Sequence, residues 1–102
     1  MLVLGATSAF AGDSDALKAI MKAKTYAEAE ALVKQNLGQL ADNAEKAKAY
    51  NKLVDLGMKA YNDQVSIQQT NQIMKKNDPV DEAAMNEGAY NALVNAVECY
   101  KY

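Results

Sequence analysis

The chain has 102 residues, with 11 basic and 13 acidic side chains, a formal net charge of −2, one cysteine and no histidine. That length fits one small domain, and the interleaved charges form no basic patch of the kind that binds nucleic acid. One cysteine excludes an intrachain disulfide and a structural zinc site, and the lack of histidine removes the commonest general base and transition-metal ligand.

The first eleven residues are apolar or small and have the features of a secretory signal peptide. Ala9-Phe10-Ala11 matches the pattern that signal peptidase reads, so cleavage is expected after Ala11. The run is too short to span a bilayer. A positive n-region is missing, so translation starts upstream of Met1 or the segment is an ordinary apolar strand or helix. We interpret residues 1–11 as a clipped signal peptide and expect a periplasmic or secreted bacterial protein without a stable membrane anchor.

From Asp13 onward the pattern predicts helix almost throughout, and therefore an all-α fold. Asp13 or Ser14 is placed to cap a short first helix, and Thr25 with Glu28 forms a capping box before a second. Gly38 is expected to stop the second helix in a left-handed conformation. The apolar residues of these helices fall at helical spacing: Leu17, Ile20 and Met21, then Ala29, Leu32, Val33 and Leu37.

Asp42 and Glu45 repeat the capping pattern before a third helix. Its apolar stripe is wide: Ala47, Tyr50, Leu53, Val54, Met58 and Tyr61. Asn62-Asp63 is the one turn signal before Val65, and we expect the helix to turn there because antiparallel pairing needs a turn. A helix that continues through this point is the alternative. The polar segment 64–76 is then expected to be a second, solvent-facing helix.

Asn77-Asp78-Pro79 is the clearest break in the chain and predicts a last helix that Asp78 caps, with Pro79 at its first position. Gly88 is expected to weaken that helix by about 1 kcal/mol relative to alanine. The helix runs uncapped into the last four residues, so we expect a longer protein or a last helix that docks on a partner. Its apolar side is expected to comprise Val80, Ala83, Ala84, Tyr90, Leu93, Val94 and Val97.

A six-residue segment occurs twice. Ala49-Tyr50-Asn51-Lys52-Leu53-Val54 returns forty residues later as Ala89-Tyr90-Asn91-Ala92-Leu93-Val94, with five of the six residues unchanged. A fixed period of this size is typical of stacked helical repeats, in which each unit buries its apolar face on a neighbour. We therefore predict a helical repeat domain over residues 12–102, with copies near 42–78 and 82–102, the second incomplete.

The segment 44–54, together with Ser8-Ala9-Phe10-Ala11, resembles the secreted tetratricopeptide-like repeat proteins of Bacteroides-type bacteria. Tyr50 takes the leading aromatic position and Leu53 the leucine three residues later, whereas Val54 replaces the small residue expected next. The period also exceeds the usual length of about 34 residues, so a HEAT-like or divergent repeat is the alternative. The resemblance implies antiparallel helical hairpins stacked as a tetratricopeptide-like α-solenoid fragment, which binds a protein or peptide without catalysis.

No catalytic residue, cofactor site or metal site is predicted. The densest acidic run, residues 78–82, lacks the alternating ligands and central glycine of a calcium loop. Tyr50 and Tyr90 occupy equivalent repeat positions and are expected to pack between helices. The candidate binding surface combines matching repeat asparagines with less constrained tyrosines: Asn51, Asn91, Tyr61 and Tyr100.

These observations predict a non-catalytic, exported helical-repeat module that binds a protein or peptide and no nucleic acid. The alternative is a structural helical bundle that self-associates through its C-terminal helix into a homo-oligomer. A hydrolase fragment is disfavoured, because the chain has no histidine and its acidic residues fall at helix starts and on polar faces.

Overall fold

The computed structural model describes residues 13–102, and every regular element in that range is helical. The prediction of an all-α chain is therefore confirmed for the described part. The predicted signal peptide lies outside the described residues. In chain order the helices are α1 Asp15–Met21, α2 Tyr26–Asn36, α3 Asn43–Met74 and α4 Glu82–Cys99, with a 3-10 turn at Leu37–Gln39 after α2.

Each helix begins with a side chain that accepts a hydrogen bond from a backbone amide in its first turn. The predicted caps Ser14, Thr25 and Asp42 are confirmed. The predicted cap Asp78 is wrong, because α4 begins later and Asp81 caps it, accepting from the Ala84 amide at 2.9 Å. Such a cap stabilises a helix by about 1 kcal/mol.

The left-handed helix end lies at a different place from the one predicted. Gly38 is part of the 3-10 turn after α2 and was wrongly expected to adopt a left-handed conformation. The left-handed residue is Lys75, with φ of 54°, at the end of α3. Its amide and that of Lys76 both donate to the carbonyl oxygen of Asn71, which satisfies backbone groups that a helix end leaves free.

The helix α3 runs straight through Asn62 and Asp63, so the predicted turn there is wrong. Neither residue breaks a helix, and Lys59 pairs with Asp63 one turn later at 2.9 Å. At 32 residues α3 is about 48 Å long. The polar segment 64–76, which was expected to be a separate helix, forms the end of α3 through Met74. Its side chains bind the loop that connects α3 to α4.

Polar side chains of α3 bind the loop that leads back to α4. The side chain of Asn71 donates to the Asp78 carbonyl at 2.9 Å and accepts from the Asp78 amide at 3.1 Å. Gln64 Oε1 accepts from the Asp81 amide at 2.8 Å. Pro79 therefore lies in a loop held along the second half of α3, and α4 begins level with Gln64.

The hydrophobic core lies where α1 and α2 pack against the first half of α3. Leu17 and Ile20 are its largest fully buried side chains. Burying each of these contributes about 1.5–3 kcal/mol. The other buried members are smaller or less completely covered: Ala23, Ala29, Val33, Leu40, Ala49 and Leu53. The pair α1–α2 thus covers one side of α3.

The helix α4 packs along α3 through its smallest side chains. Its buried residues are Gly88, Ala92 and Asn95. A Cβ atom added to Gly88 would lie 2.6 Å from the Gly57 carbonyl oxygen, and one added to Gly57 would lie 2.8 Å from the Gly88 oxygen. The backbones are therefore in direct contact, which only glycine permits at both positions. Of the residues expected to form the apolar side of α4, the four large ones in its second half are exposed instead: Tyr90, Leu93, Val94 and Val97.

A buried carboxylate joins the start of α1 to the start of α3. Glu45 Oε2 accepts from the Ser14 amide at 2.8 Å, and Oε1 accepts from the Ala41 amide at 3.0 Å and from the Ser14 hydroxyl. These bonds favour the charged form, so the Ala41 amide first and the Ser14 hydroxyl next lower the pKa of Glu45.

Because the pKa of Glu45 is lower in the folded chain, its contribution to stability is complete above the unfolded carboxyl pKa and is lost as pH falls through the folded value. We expect Glu45→Gln to lower the free energy of unfolding by about 1.5–3 kcal/mol at neutral pH, since an amide supplies one acceptor where the carboxylate uses both oxygens. The difference from the unsubstituted protein shrinks as the pH is lowered through the folded pKa of Glu45. A series of urea unfolding curves from neutral to acidic pH measures it.

Glu28→Gln is the matched control, because Glu28 holds the same position in α2 but is exposed. This variant is expected to stay within about 0.5 kcal/mol of the unsubstituted protein. An equal loss of unfolding free energy in both variants, or a loss in Glu45→Gln that does not depend on pH, would contradict the stabilising role of the Glu45 carboxylate.

Candidate functional site

The helix α4 has a second apolar face, on the side away from α3. No charged residue occurs from Gly88 to Val97. Four large side chains point outward at spacings of three, four and three residues: Tyr90, Leu93, Val97 and Tyr100, with exposed fractions of 67%, 66%, 56% and 92%. We call these four residues the open face. An apolar helix face is normally buried, so α4 lacks cover on this side.

A groove runs beside the open face, between α4 and α3. It has a volume of about 460 Å³. Its walls are almost entirely apolar: Val54, Met58 and Tyr61 from α3, and Ala89, Ala92, Leu93 and Ala96 from α4. A second hollow of about 280 Å³ continues it, sharing Val54 and Ala96 and ending at Asn51, Cys99 and Tyr100. The groove and the open face together form one continuous apolar surface.

The two sequence copies have opposite environments. In the first copy, Ala49 and Leu53 are buried beneath α1 and α2. In the second copy, Leu93 belongs to the open face and Ala89 lines the groove. The same apolar residues are therefore covered by a helix pair in one copy and uncovered in the other.

The copies differ at the positions where α4 meets α3. Lys48, Lys52 and Asp55 of the first copy are replaced by Gly88, Ala92 and Asn95 in the second. These three replacements create the small, uncharged stripe that packs against Gly57. The second copy therefore has two faces. One carries the repeated apolar residues, and the other is the stripe of small residues that packs against α3.

Asn95 fixes how α4 is rotated about its axis. Its side-chain nitrogen donates to the Tyr26 hydroxyl of α2 at 2.9 Å and to the Asn91 carbonyl at 2.8 Å. Tyr26 in turn donates to Glu30 at 3.1 Å, and burial is the main cause that raises the pKa of Tyr26. Because Asn95 is buried, this network would be left unsatisfied if α4 turned, so the open face is held outward.

The C-terminal end of α4 is held against α3 by further contacts. Cys99 Sγ lies 3.2 Å from the Ala47 carbonyl. The rings of Tyr50 and Tyr102 stack with centroids 5.8 Å apart, and Lys46 Nζ lies 5.6 Å from the centre of the Tyr102 ring. Burial raises the pKa of Tyr50. Tyr50 therefore packs between elements as predicted, whereas the same prediction for Tyr90 is wrong.

Three of the four predicted surface residues lie on one side of the molecule. Tyr61 lines the groove, and Asn51 and Tyr100 line the hollow that continues it. Asn91 lies on the opposite flank of α4, beside Tyr26. The repeat asparagines are therefore not brought together, because the second copy is rotated to place its small stripe on α3.

Sequence reasoning missed Leu93 and Val97 as surface residues, because it placed them in a buried stripe. The sequence signal for the open face is the stretch from Gly88 to Val97, which has no charged residue on any side of the helix. Within residues 13–102 no group of three or more His, Cys, Asp or Glu side chains is placed to hold a metal ion. No helix in the described range is long and apolar enough to cross a membrane. Comparisons of the chain with protein-family models, curated protein sequences and solved structures gave no match.

Proposed function

We propose that this chain is a non-catalytic helical-repeat module that binds a protein or peptide on the open face and its groove. The observation that carries the proposal is the contrast between the copies. The residues that α1 and α2 cover in the first copy lie uncovered in the second. Burying each large apolar side chain of the open face is favourable by about 1.5–3 kcal/mol, before the cost of association.

The shape of the site favours a helix as the bound element. Apolar anchors three and four residues apart match the periodicity of an amphipathic helix lying in a groove. The eleven residues from Tyr90 to Tyr100 span about 15 Å, which corresponds to nearly three turns. Because that span carries no charge before Glu98, recognition rests on apolar packing.

We further propose a tetratricopeptide-like stacked arrangement, in which a helix pair resembling α1–α2 covers the second copy. The support is one alanine and one leucine that the copies share. Ala49 and Leu53 pack against α1 and α2, and Ala89 and Leu93 hold the equivalent positions in the second copy. A helix pair alone buries little core, and stacking the next pair on its open side extends that core.

A labelled peptide with the sequence of residues 13–40 tests binding. This segment covers Ala49 and Leu53 within the chain, so it suits the equivalent Ala89 and Leu93. We expect fluorescence anisotropy to give a dissociation constant of about 1–100 µM. Leu93→Glu should weaken binding at least about tenfold, because it places a charge on the open face.

The Leu93→Glu variant also shows whether the peptide binds by displacing α1 and α2 from the chain. Displacement would expose the site around Leu53, which is the same in both proteins, and would therefore give equal affinities. A scrambled peptide of the same composition should not bind. Equal affinity of the unsubstituted protein and the Leu93→Glu variant, or no binding up to about 1 mM, would overturn the proposed binding site.

We also propose export, with cleavage after Ala11. The support is the Ala9-Phe10-Ala11 pattern, and α1 begins with its own cap at Ser14, just past that point. The protein isolated from its native host should therefore begin at Gly12 by N-terminal sequencing or intact mass. Cytoplasmic protein that retains residues 1–11 would contradict export.

A further inference from the structure

We propose that the occupant of the open face is a second copy of this chain, with the two α4 helices antiparallel about a two-fold axis level with Asn95. This inference rests on the proposed binding function and names the partner, whose α4 takes the place of a covering helix pair on the open face. The partner is identified by the symmetry of the open face, by its lack of charge and by the position of the groove.

The open face is self-complementary along its length. Tyr90 and Tyr100, the residue that directly follows α4, lie equally far from Asn95 in the chain, and Leu93 and Val97 also lie equally far from it. An antiparallel copy centred there places aromatic opposite aromatic and Leu93 opposite Val97. A two-fold interface requires one patch that matches itself when reversed, and this spacing meets that requirement.

The groove supplies a place for the most exposed side chain. Tyr100 lies on the flank of α4 that faces Asn51 and Val54, the same flank as the groove. A two-fold axis perpendicular to both helices keeps each side chain on its own flank and reverses its level. Tyr100 of one copy therefore meets the other copy level with Ala89 and Leu93, where Met58 and Tyr61 complete the groove.

Charge also favours a second copy over a strongly charged partner. Each chain has a formal net charge of −2, which opposes association where acidic side chains meet. The seam from Gly88 to Val97 holds no charge, so two copies meet there without repulsion. Glu98, at its end, is paired with Lys101 at 2.6 Å. A basic or acidic partner would find no opposite charge within the seam.

The size of the seam sets the expected strength. With 18 residues α4 is about 27 Å long. One helix face with its groove is smaller than the roughly 800 Å² per partner of a standard interface, so a weak dimer is expected. We expect a dissociation constant of about 1–100 µM, which sedimentation equilibrium between about 1 µM and 1 mM covers.

The test uses two single substitutions on opposite sides of the axis, Leu93→Lys and Val97→Glu, in the full chain. Both positions are largely exposed in the single chain, so the fold should tolerate them. Each substitution buries unpaired charges in its own homodimer, and we expect dissociation constants at least about 100-fold higher. Ile73→Glu is the matched control, because Ile73 is exposed on the far half of α3 and should leave association unchanged.

Mixing the two variants tests the antiparallel register. In the mixed dimer the introduced lysine faces the introduced glutamate, and the other contact remains Leu93 against Val97. We expect the mixture to regain association to within about tenfold of the unsubstituted protein. A parallel pair, or a different register, would not bring the two introduced charges together.

A protein that stays monomeric up to about 1 mM would overturn the second copy as partner. In that case Leu93-dependent binding of the 13–40 peptide would leave the proposed function in place. Association that both variants retain would show that another surface is used and would also overturn the inference. Variants that lose association but do not recover it on mixing would overturn the antiparallel arrangement.

Discussion

The direct backbone contact between Gly57 and Gly88 determines how the longest helix pair fits together. No side chain separates α3 from α4 at this point, and a Cβ atom on either glycine would overlap the opposite backbone. Close approach increases dispersion contacts along the whole pair. It also decides which stripe of α4 is buried, because only the stripe containing Gly88 and Ala92 is small enough to fit.

The remaining contacts hold that arrangement in register. Asn95 bonds the Tyr26 hydroxyl and so joins α4 to α2, while Glu45 joins the starts of α1 and α3. With α1 and α2 covering one side of α3 and α4 lying along it, the repeated apolar residues of α4 are left facing outward. The open face is thus a consequence of packing. In α3 the repeated alanine and leucine are buried against α1 and α2, whereas α4 buries its stripe of small residues and leaves the repeated leucine exposed.

Much of the fold follows from local sequence signals. Helix caps at Ser14, Thr25 and Asp42 were predictable because a short polar side chain beside a free amide has a local physical effect. The continuation of α3 through Asn62 and Asp63 was not, since polar residues of this kind occur both in turns and within exposed helices, and neither is a glycine or a proline. The choice between Asp78 and Asp81 as a cap depended on the distant side chains of Asn71 and Gln64.

The candidate site was harder to predict, because α4 has two apolar stripes and the sequence does not say which one meets α3. Gly88 illustrates the difficulty. Its effect on helix propensity is local and unfavourable, whereas its benefit depends on Gly57, which lies 31 positions earlier. The two copies share residues in the sequence, but whether Tyr90 and Leu93 are covered or exposed depends on neighbours that only the tertiary structure reveals.

Unfolding of Gly88→Ala in denaturant tests the backbone contact most directly. Helix propensity alone would make this variant about 1 kcal/mol more stable. The backbone contact instead predicts a net loss of about 1–3 kcal/mol, because the added methyl group forces α3 and α4 apart. Gly38→Ala is the control, since no atom lies within 4 Å of its added Cβ and its stability should change by less than about 1 kcal/mol. A Gly88→Ala protein as stable as the unsubstituted chain, or more stable, would contradict the contact and the open face that depends on it.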